Sequence, residues 1–236
     1  MTKFEILFGI KETEIKNTCV LLPLLAKDMF NHLGIKRLFK GKIYSSGQAQ
    51  GFTVIVTGIG AGLAGDAVLY LEDTACQNII LFGSCGLVWG KKGLAIGSLV
   101  SPFLSYALES FSDILLDKEK DWKAFSADEE LREKFLNTIE AQSINCATLG
   151  SLKLEENLVG LLRKKDIHAV DMECSSVFSA SKYIKRKATA LFYVTDIINK
   201  KPFYSKLSDR DKSALYLSIK TSCHAICDFI KNNPTS

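Results

Sequence analysis

The sequence of 236 residues has only three histidines and four prolines, no hydrophobic run near 18 residues and a formal net charge of only +4. Without such a run there is no candidate transmembrane helix, and without a signal-peptide pattern we expect a cytoplasmic protein. The small net charge argues against binding to nucleic acid, so neither nucleic acid nor a membrane is an expected partner. With so few histidines, none of them directly after a predicted strand, a serine–histidine–aspartate triad is not expected.

The seven cysteines are an odd number and lie mostly in apolar segments, which indicates free thiols in a reducing compartment. Cys223 and Cys227, with His224 beside the first, form the only pair with a spacing typical of metal ligands. A structural zinc site needs four ligands, and no second pair accompanies this one. Because residues four apart share one side of a helix, a buried helix face is the simpler interpretation. We therefore expect no metal site, and we expect no cofactor.

Hydrophobic residues make up 47% of the chain and charged residues 24%, which is the balance of a globular protein. Continuous apolar segments alternate with helical patterns, as in a sheet that is covered on both faces. The predicted strands are residues 4–10, 52–57, 78–82, 98–102, 144–149, 167–170 and 188–194. The predicted helices are residues 11–31, 63–75, 127–142, 155–165, 174–183 and 209–231, the last of them capped by Ser208. Residues 105–123 show no clear pattern and are interpreted as a loop over a site.

There is no linker and no repeat, so the pattern predicts one domain spanning residues 1–236. Its expected fold class is α/β, a three-layer α/β/α sandwich around a largely parallel, twisted sheet. In such folds, ligands bind beside the carboxyl ends of the strands, and the residues that follow each strand are candidates for a site. In chain order these candidates are Glu12 and Glu14, the glycine-rich turn 58–62, residues 83–86, residues 171–173, and Thr195 with Asp196.

Several of these candidates have two interpretations from the residues alone. The glycines at 58, 60 and 62 lack the dinucleotide-binding spacing, so they form either a tight turn or a phosphate cradle. The turn that contains Ser84 and Gly86 offers backbone N–H groups and a hydroxyl, and is either structural or a ligand contact. Asp196 ends an apolar strand, where burial would raise the pKa of its carboxyl and suit it to donate a proton. Its alternative role is to cap the following segment.

Five segments, in this order along the chain, resemble the nucleoside phosphorylase and nucleosidase superfamily. They are residues 8–15, 57–60, 80–86, 170–173 and 193–197. The resemblance extends over about residues 4–230. Phosphorylases similar to this chain place an arginine just before the Gly-Ser-x-Gly turn, where this chain has Leu81 and Phe82. Without a cation there, phosphate would lack its charge-assisted hydrogen bonds. The sequence is therefore most similar to 5′-methylthioadenosine/S-adenosylhomocysteine nucleosidases and to futalosine-type hydrolases.

The resemblance implies hydrolysis of the N-glycosidic bond of an adenine-type nucleoside, such as methylthioadenosine, S-adenosylhomocysteine or aminodeoxyfutalosine, by a homodimer. It implies that Asp196 protonates the leaving base and that Glu14 deprotonates the attacking water. The residues that it implies as substrate contacts are Ser84, Gly86, Met172, Glu173 and Thr195. Of these, Glu173 would accept the ribose hydroxyls. The segment 149–154, where relatives carry a base-stacking phenylalanine, matches poorly, which leaves the selectivity for the base and the 5′ substituent open.

Two alternatives remain. One is a purine nucleoside phosphorylase with an unconventional phosphate site, against which the missing arginine argues. The other is a non-catalytic nucleoside-binding relative in which Asp196 is a structural cap. The presence of all three carboxylates, Glu14, Glu173 and Asp196, argues against this second alternative.

Overall fold

A mixed sheet forms the centre of the computed structural model, which describes residues 1–88, 93–116 and 122–233. Its strands are β1 (Thr18–Leu22), β2 (Leu38–Lys40), β3 (Ser45–Ala49), β4 (Phe52–Val56), β5 (Asn78–Leu87), β6 (Leu99–Leu108), β7 (Ala124–Ser126), β8 (Gln142–Leu149), β9 (Ala169–Asp171) and β10 (Lys187–Ile197). The helices are α1 (Lys3–Phe8), α2 (Lys27–His32), α3 (Ala61–Leu69), α4 (Phe111–Leu116), α5 (Glu129–Leu136), α6 (Leu152–Lys164), α7 (Cys174–Tyr183) and α8 (Asp209–Asn232). Within the described residues, no helix is both long and apolar enough to span a membrane.

The strands follow the order β10-β6-β8-β9-β5-β1-β4-β3-β2, with β7 beside β6. Since β10 also pairs with β5, the strands β5, β9, β8, β6 and β10 form a closed ring. The α/β class is confirmed, but the prediction of a largely parallel sheet holds only in part. The sheet contains parallel pairs, such as β5 with β10, and antiparallel pairs, such as β5 with β9 and β3 with β4.

Helices cover both faces of the sheet. In β1 all five residues are buried, and alternate side chains enter different cores. Cys19 and Leu21 belong to the core that contains α3 and α7 residues, whereas Val20 and Leu22 belong to the core that contains α8 residues. A strand buried on both faces has a continuous apolar sequence, which explains why strands such as β4, β5 and β10 could be predicted. Strand β1 has the same character but was predicted as part of a helix.

The first thirty residues differ from the prediction. Residues 4–10, predicted as a strand, contain helix α1, because Thr2 caps its first turn and Gly9 ends it at φ 79°. Phe4 and Phe8 stack on each other with ring centroids 4.2 Å apart, as residues one turn apart do. The predicted helix 11–31 instead contains β1, preceded by a short 3₁₀ turn (Glu12–Glu14) and followed by α2.

Most other elements lie where they were predicted, with different ends. Helix α7 has the predicted bounds, and Ser208 caps α8 through the N–H of Asp211. Strand β6 continues to Leu108, so the predicted loop 105–123 begins inside a strand, and its residues 117–121 lie outside the described residues. Helix α5 is shorter than predicted and is capped by Asp128 rather than Ser126.

Candidate active site

A cavity of about 240 Å³ opens where β1, β5, β8, β9 and β10 end, the edge at which α/β sheets bind ligands. Six of the seven site residues predicted from the sequence line it: Ser84, Gly86, Met172, Glu173, Thr195 and Asp196. They come from β5, from β10 and from the turn between β9 and α7. The sequence places these residues up to about a hundred positions apart, and the pairing of β10 and β9 with β5 brings them together.

Asp196 lies near the end of β10, where the register with β5 shifts between Val194 and Asp196. Its side chain is buried, with only 4% of the residue exposed. The Thr195 hydroxyl donates a hydrogen bond of 2.8 Å to Oδ1, while Oδ2 is buried and has no partner among the described residues. Burial raises the pKa of the carboxyl, and the bond from Thr195 opposes that rise. This arrangement leaves one carboxyl oxygen available to a ligand.

Gly86 is the reason that Asp196 Oδ2 has room. A Cβ placed on Gly86 would lie 3.0 Å from Oδ2, closer than ordinary van der Waals contact. A side chain at position 86 would therefore push the Asp196 carboxyl out of its present position.

Glu173 is 5% exposed and directly precedes α7, but its side chain makes no capping hydrogen bond to that helix. Its Oε1 accepts a hydrogen bond of 2.7 Å from the N–H of Gly60, which begins α3. Burial and the nearby charge of Asp171 raise the pKa of Glu173 to about 8. The glycine turn at 58–60 is thus a tight turn, with positive φ at Gly58 and Gly60, and the Gly60 N–H is committed to a carboxylate.

Asp171 faces the same cavity, but both of its carboxyl oxygens already accept hydrogen bonds from the protein. It accepts hydrogen bonds from the N–H groups of Glu173 and Cys174 and from the Thr148 hydroxyl. Burial raises its pKa to about 6, although these three donors act in the opposite direction. Asp171 therefore fixes the turn that presents Glu173.

Glu155 also lines the cavity, and the sequence did not single it out. It lies in the first turn of α6, is 4% exposed, and has a pKa raised to about 7 by burial first and by the Asp196 charge second. The signal was present in the helix pattern. Glu155 shares the buried face of α6 with Leu158, Val159 and Leu162. An acidic residue on an otherwise apolar helix face is rarely buried without a specific role.

The structure does not bring Glu14 to this cavity. Glu14 is exposed in the 3₁₀ turn before β1, and its carbonyl accepts a hydrogen bond from Gln48, which pairs with Thr53 near the start of β4. This position is at the amino end of β1, opposite the cavity. The error follows from the first strand: β1 ends at Leu22, and the cavity residues that follow it are Pro23 and Leu24.

The comparisons with known proteins agree with this architecture. A sequence model of the phosphorylase superfamily matches residues 13–231. The chain belongs to the phosphorylase superfamily. A comparison with curated proteins gave no match.

Among solved structures, the superfamily fold recurs at low sequence identity. The 5′-methylthioadenosine/S-adenosylhomocysteine nucleosidase of Campylobacter jejuni has a TM-score of 0.72 at 15% identity, covering 93% of this chain and 100% of that one. The Neisseria meningitidis nucleosidase of the same name, in complex with methylthio-immucillin-A, has a TM-score of 0.70 at 16% identity, covering 92% of this chain and 100% of that one. A futalosine hydrolase mutant of Helicobacter pylori has a TM-score of 0.70 at 13% identity, covering 93% of this chain and 100% of that one. These likenesses show the fold of the superfamily.

Acidic side chains line the cavity. Four carboxyl groups line it, those of Glu155, Asp171, Glu173 and Asp196. Among the described residues that line it, there is no arginine, lysine or histidine. A cavity with this lining offers an anion no charge-assisted hydrogen bond from a basic side chain.

Proposed function

We propose that the protein hydrolyses the N-glycosidic bond of an adenine-type nucleoside and releases the free base. The observation that carries this proposal is a buried cavity that combines Asp196 and Glu173 with no basic side chain among its described lining residues. Asp196 and Glu173 suit cleavage of a glycosidic bond, and the lack of a basic side chain favours water over phosphate as the nucleophile.

Asp196 is the proposed general acid. A purine is a poor leaving group as an anion, so a proton must reach the base as the bond breaks. The buried, unpartnered Oδ2 is open to a ligand atom, and burial raises the pKa of the carboxyl, which makes it a better proton donor than an exposed aspartate. The Thr195 hydroxyl fixes the orientation of the carboxyl and, with Ser84 and Gly86, lines the same part of the cavity.

Glu173 is the proposed ribose-binding carboxylate, with Met172 packing beside the sugar. In its ionised form it accepts hydrogen bonds from the sugar hydroxyls and places negative charge beside the oxocarbenium-like transition state. Because its pKa is raised to about 8, this contribution grows as the pH rises through that value. The Gly60 N–H stabilises the charged form of Glu173 and holds it in place. Glu14, at the opposite edge of the sheet, receives no role in the proposed reaction.

Phosphate is disfavoured as the nucleophile on electrostatic grounds. Binding a phosphate dianion normally requires arginine, lysine or a metal ion to supply charge-assisted hydrogen bonds. Here no basic side chain among the described lining residues supplies such bonds, whereas water, which is neutral, does not need them. The phosphorylase alternative therefore requires a cation that the described lining does not supply.

The test is release of the base with and without phosphate. Methylthioadenosine, S-adenosylhomocysteine and aminodeoxyfutalosine are incubated with the protein, and adenine and the sugar product are quantified. We expect adenine from at least one of them at a rate independent of phosphate, together with the free sugar. Phosphate-dependent turnover that yields a sugar 1-phosphate would overturn the hydrolase assignment. Nucleoside binding without any turnover would favour the non-catalytic alternative.

A further inference from the structure

Glu155 is a buried carboxyl in the cavity for which neither glycosidic cleavage nor ribose binding supplies a role. We propose that Glu155 is a specificity-determining residue that binds the six-membered ring of adenine as a neutral carboxylic acid, donating to N1 and accepting from the exocyclic amino group. This inference rests on the proposed function, because it assumes that the cavity takes an adenine base.

The placement of Glu155 identifies its side of the cavity. Glu155 enters from α6 beside Ser151 and Leu152, and of the other carboxyls that line the cavity it is that of Asp196 whose charge raises the pKa of Glu155. Since Asp196 is the proposed proton donor to the base and Glu173 the proposed ribose ligand, Glu155 lies at the base end.

The wall at this end is held in place by the residue next to Glu155. Glu156 accepts hydrogen bonds from the Tyr204 hydroxyl, at 2.8 Å through Oε1, and from the Asn199 amide, at 3.5 Å through its carbonyl. These bonds tie the segment after β10 to the first turn of α6, and Phe203 of that segment lines the cavity. Glu155 is therefore positioned by a helix and a tethered loop, as a residue that recognises a ligand must be.

The surroundings of Glu155 favour its neutral form. The titratable groups that face it are Asp196 from β10, Tyr204 from the following loop and Glu156 on its own helix, and none of them is a cation. Among the described residues, Glu155 has no hydrogen-bond partner that would stabilise a carboxylate. Burial raises its pKa to about 7, so it is largely protonated in mildly acidic solution.

A neutral carboxylic acid complements adenine through two hydrogen bonds. Its O–H donates to the N1 lone pair, and its carbonyl oxygen accepts from the amino group. The ionised form loses the donor and sets a negative oxygen against the N1 lone pair. Adenine binding should therefore weaken as Glu155 ionises, and a glutamine, which also has a donor and an acceptor, should replace the neutral acid.

Direct binding of the free base tests this inference without relying on turnover. The dissociation constants of adenine and 1-deazaadenine, which lacks N1, are measured by calorimetry for the wild type, Glu155→Gln and Glu155→Leu at pH 6 and pH 8.5. At pH 6 we expect adenine to bind about tenfold more tightly than 1-deazaadenine to the wild type and to Glu155→Gln, and the preference to vanish in Glu155→Leu. Glu140→Gln, which removes an exposed carboxylate outside the cavity lining, is the control and should keep the preference.

The pH comparison isolates Glu155 from the other acids. Asp196 and Glu173 titrate in both the wild type and Glu155→Gln, so only a difference between these two proteins reports on Glu155. We expect adenine affinity to fall about tenfold more between pH 6 and pH 8.5 in the wild type. Retention of the N1 preference by a folded Glu155→Leu, or an equal fall with pH in the two proteins, would overturn the inference.

Its failure and that of the proposed function are distinguishable. If the wild type releases adenine from a nucleoside but binds the base independently of Glu155, only the inference fails. If the wild type binds adenine through Glu155 but cleaves no nucleoside, the inference stands and the hydrolase proposal fails.

Discussion

At the scale of single residues, hydrogen-bond donors separate two neighbouring acids into different roles. Asp171 accepts from two backbone N–H groups and one hydroxyl, so both of its oxygens are used at the start of α7 even though burial raises its pKa to about 6. Asp196 receives one hydroxyl and keeps a buried oxygen without a partner. An uncompensated buried carboxyl is costly in its charged form and is therefore suited to hold a proton. The difference in donors, rather than residue type, favours Asp196 as the acid.

Replacement of this acid gives the first residue-scale prediction. Asp196→Asn should retain the fold and reduce kcat by at least about 10²-fold, because an amide of the same shape has no acidic proton to deliver to the base. The measurement is the initial rate of adenine release, with a thermal melt to verify folding. Asp166→Asn is the matched control, since Asp166 is exposed and its φ of 54° is tolerated by asparagine. Activity of Asp196→Asn within a factor of a few of the wild type would remove Asp196 from its proposed role.

At the scale of elements, close packing of α3 on α7 aligns the starts of two helices at the cavity. The Gly65 backbone on α3 approaches Ser176 on α7, where a Cβ would lie 3.2 Å from the serine Cβ. This approach brings Gly60, at the start of α3, within hydrogen-bond distance of Glu173, at the start of α7. The ribose-binding carboxylate is thus held through the contact of two helices with small residues between them.

This contact gives a prediction about stability. Gly65→Leu should lower the free energy of unfolding by about 1–3 kcal/mol, because a leucine forces α3 away from α7. Chemical denaturation measures the change. The control is Gly62→Ala on the same helix, where no atom lies within 4 Å of the added Cβ. This control should raise stability by about 0.5–1 kcal/mol, as alanine does in an exposed helix position. Equal effects of the two substitutions would show that α3 and α7 are not in close contact.

The sequence predicted these elements unevenly, for physical reasons. Strands β4, β5 and β10 and helix α7 were found because buried strands have continuous apolar sequences and the helix has a clear start. Residues 4–10 were misassigned because a short apolar run is compatible with a strand or a buried helix. The four-residue spacing of Phe4 and Phe8, between Thr2 and Gly9, was the distinguishing signal.

The same reasons explain what the sequence revealed of the site. Asp196 and Glu173 were found because they follow correctly placed strands. Glu14 was assigned to the site because it followed a strand that does not exist, and β1 lies after it instead. Glu155 was missed because it enters the cavity from a helix, where its position depends on helical phase and on the tertiary contacts of α6.

At the scale of the whole molecule, the closed ring of strands decides which segments meet. The ring brings the β10 end with Asp196, the β9 end with Glu173 and the helix after β8 with Glu155 around one cavity. No local segment contains the site, so its integrity depends on long-range strand pairing. The homodimer implied by the family resemblance stays a prediction. The half-exposed Phe103 and Phe203 are candidate contacts, and light scattering of the purified protein would measure the assembly.

The buried acids give the molecule a pH-dependent stability. The pKa values of Asp171, Glu155 and Glu173 are raised to about 6, 7 and 8, above those of the unfolded chain. The folded state therefore binds more protons than the unfolded state at neutral pH, and stability must fall as the pH rises through these values. Surface acids with lowered pKa values, such as Glu130 at about 2, are ionised in both states above pH 6 and do not offset this fall.

We therefore expect the free energy of unfolding, measured in urea, to decrease between pH 5.5 and pH 8.5. Glu155→Gln cannot ionise at this position, so its decrease should be smaller than that of the wild type by about 2 kcal/mol, following from a shift of the Glu155 pKa to about 7. The comparison cancels the contributions of Asp171 and Glu173, which titrate in both proteins. Parallel pH profiles for the two proteins would show that Glu155 is solvated and has an ordinary pKa. A steeper fall of the free energy of unfolding in the wild type would show that the Glu155 carboxyl is protonated in the cavity at pH 6, the pH at which adenine binding is expected to be tight.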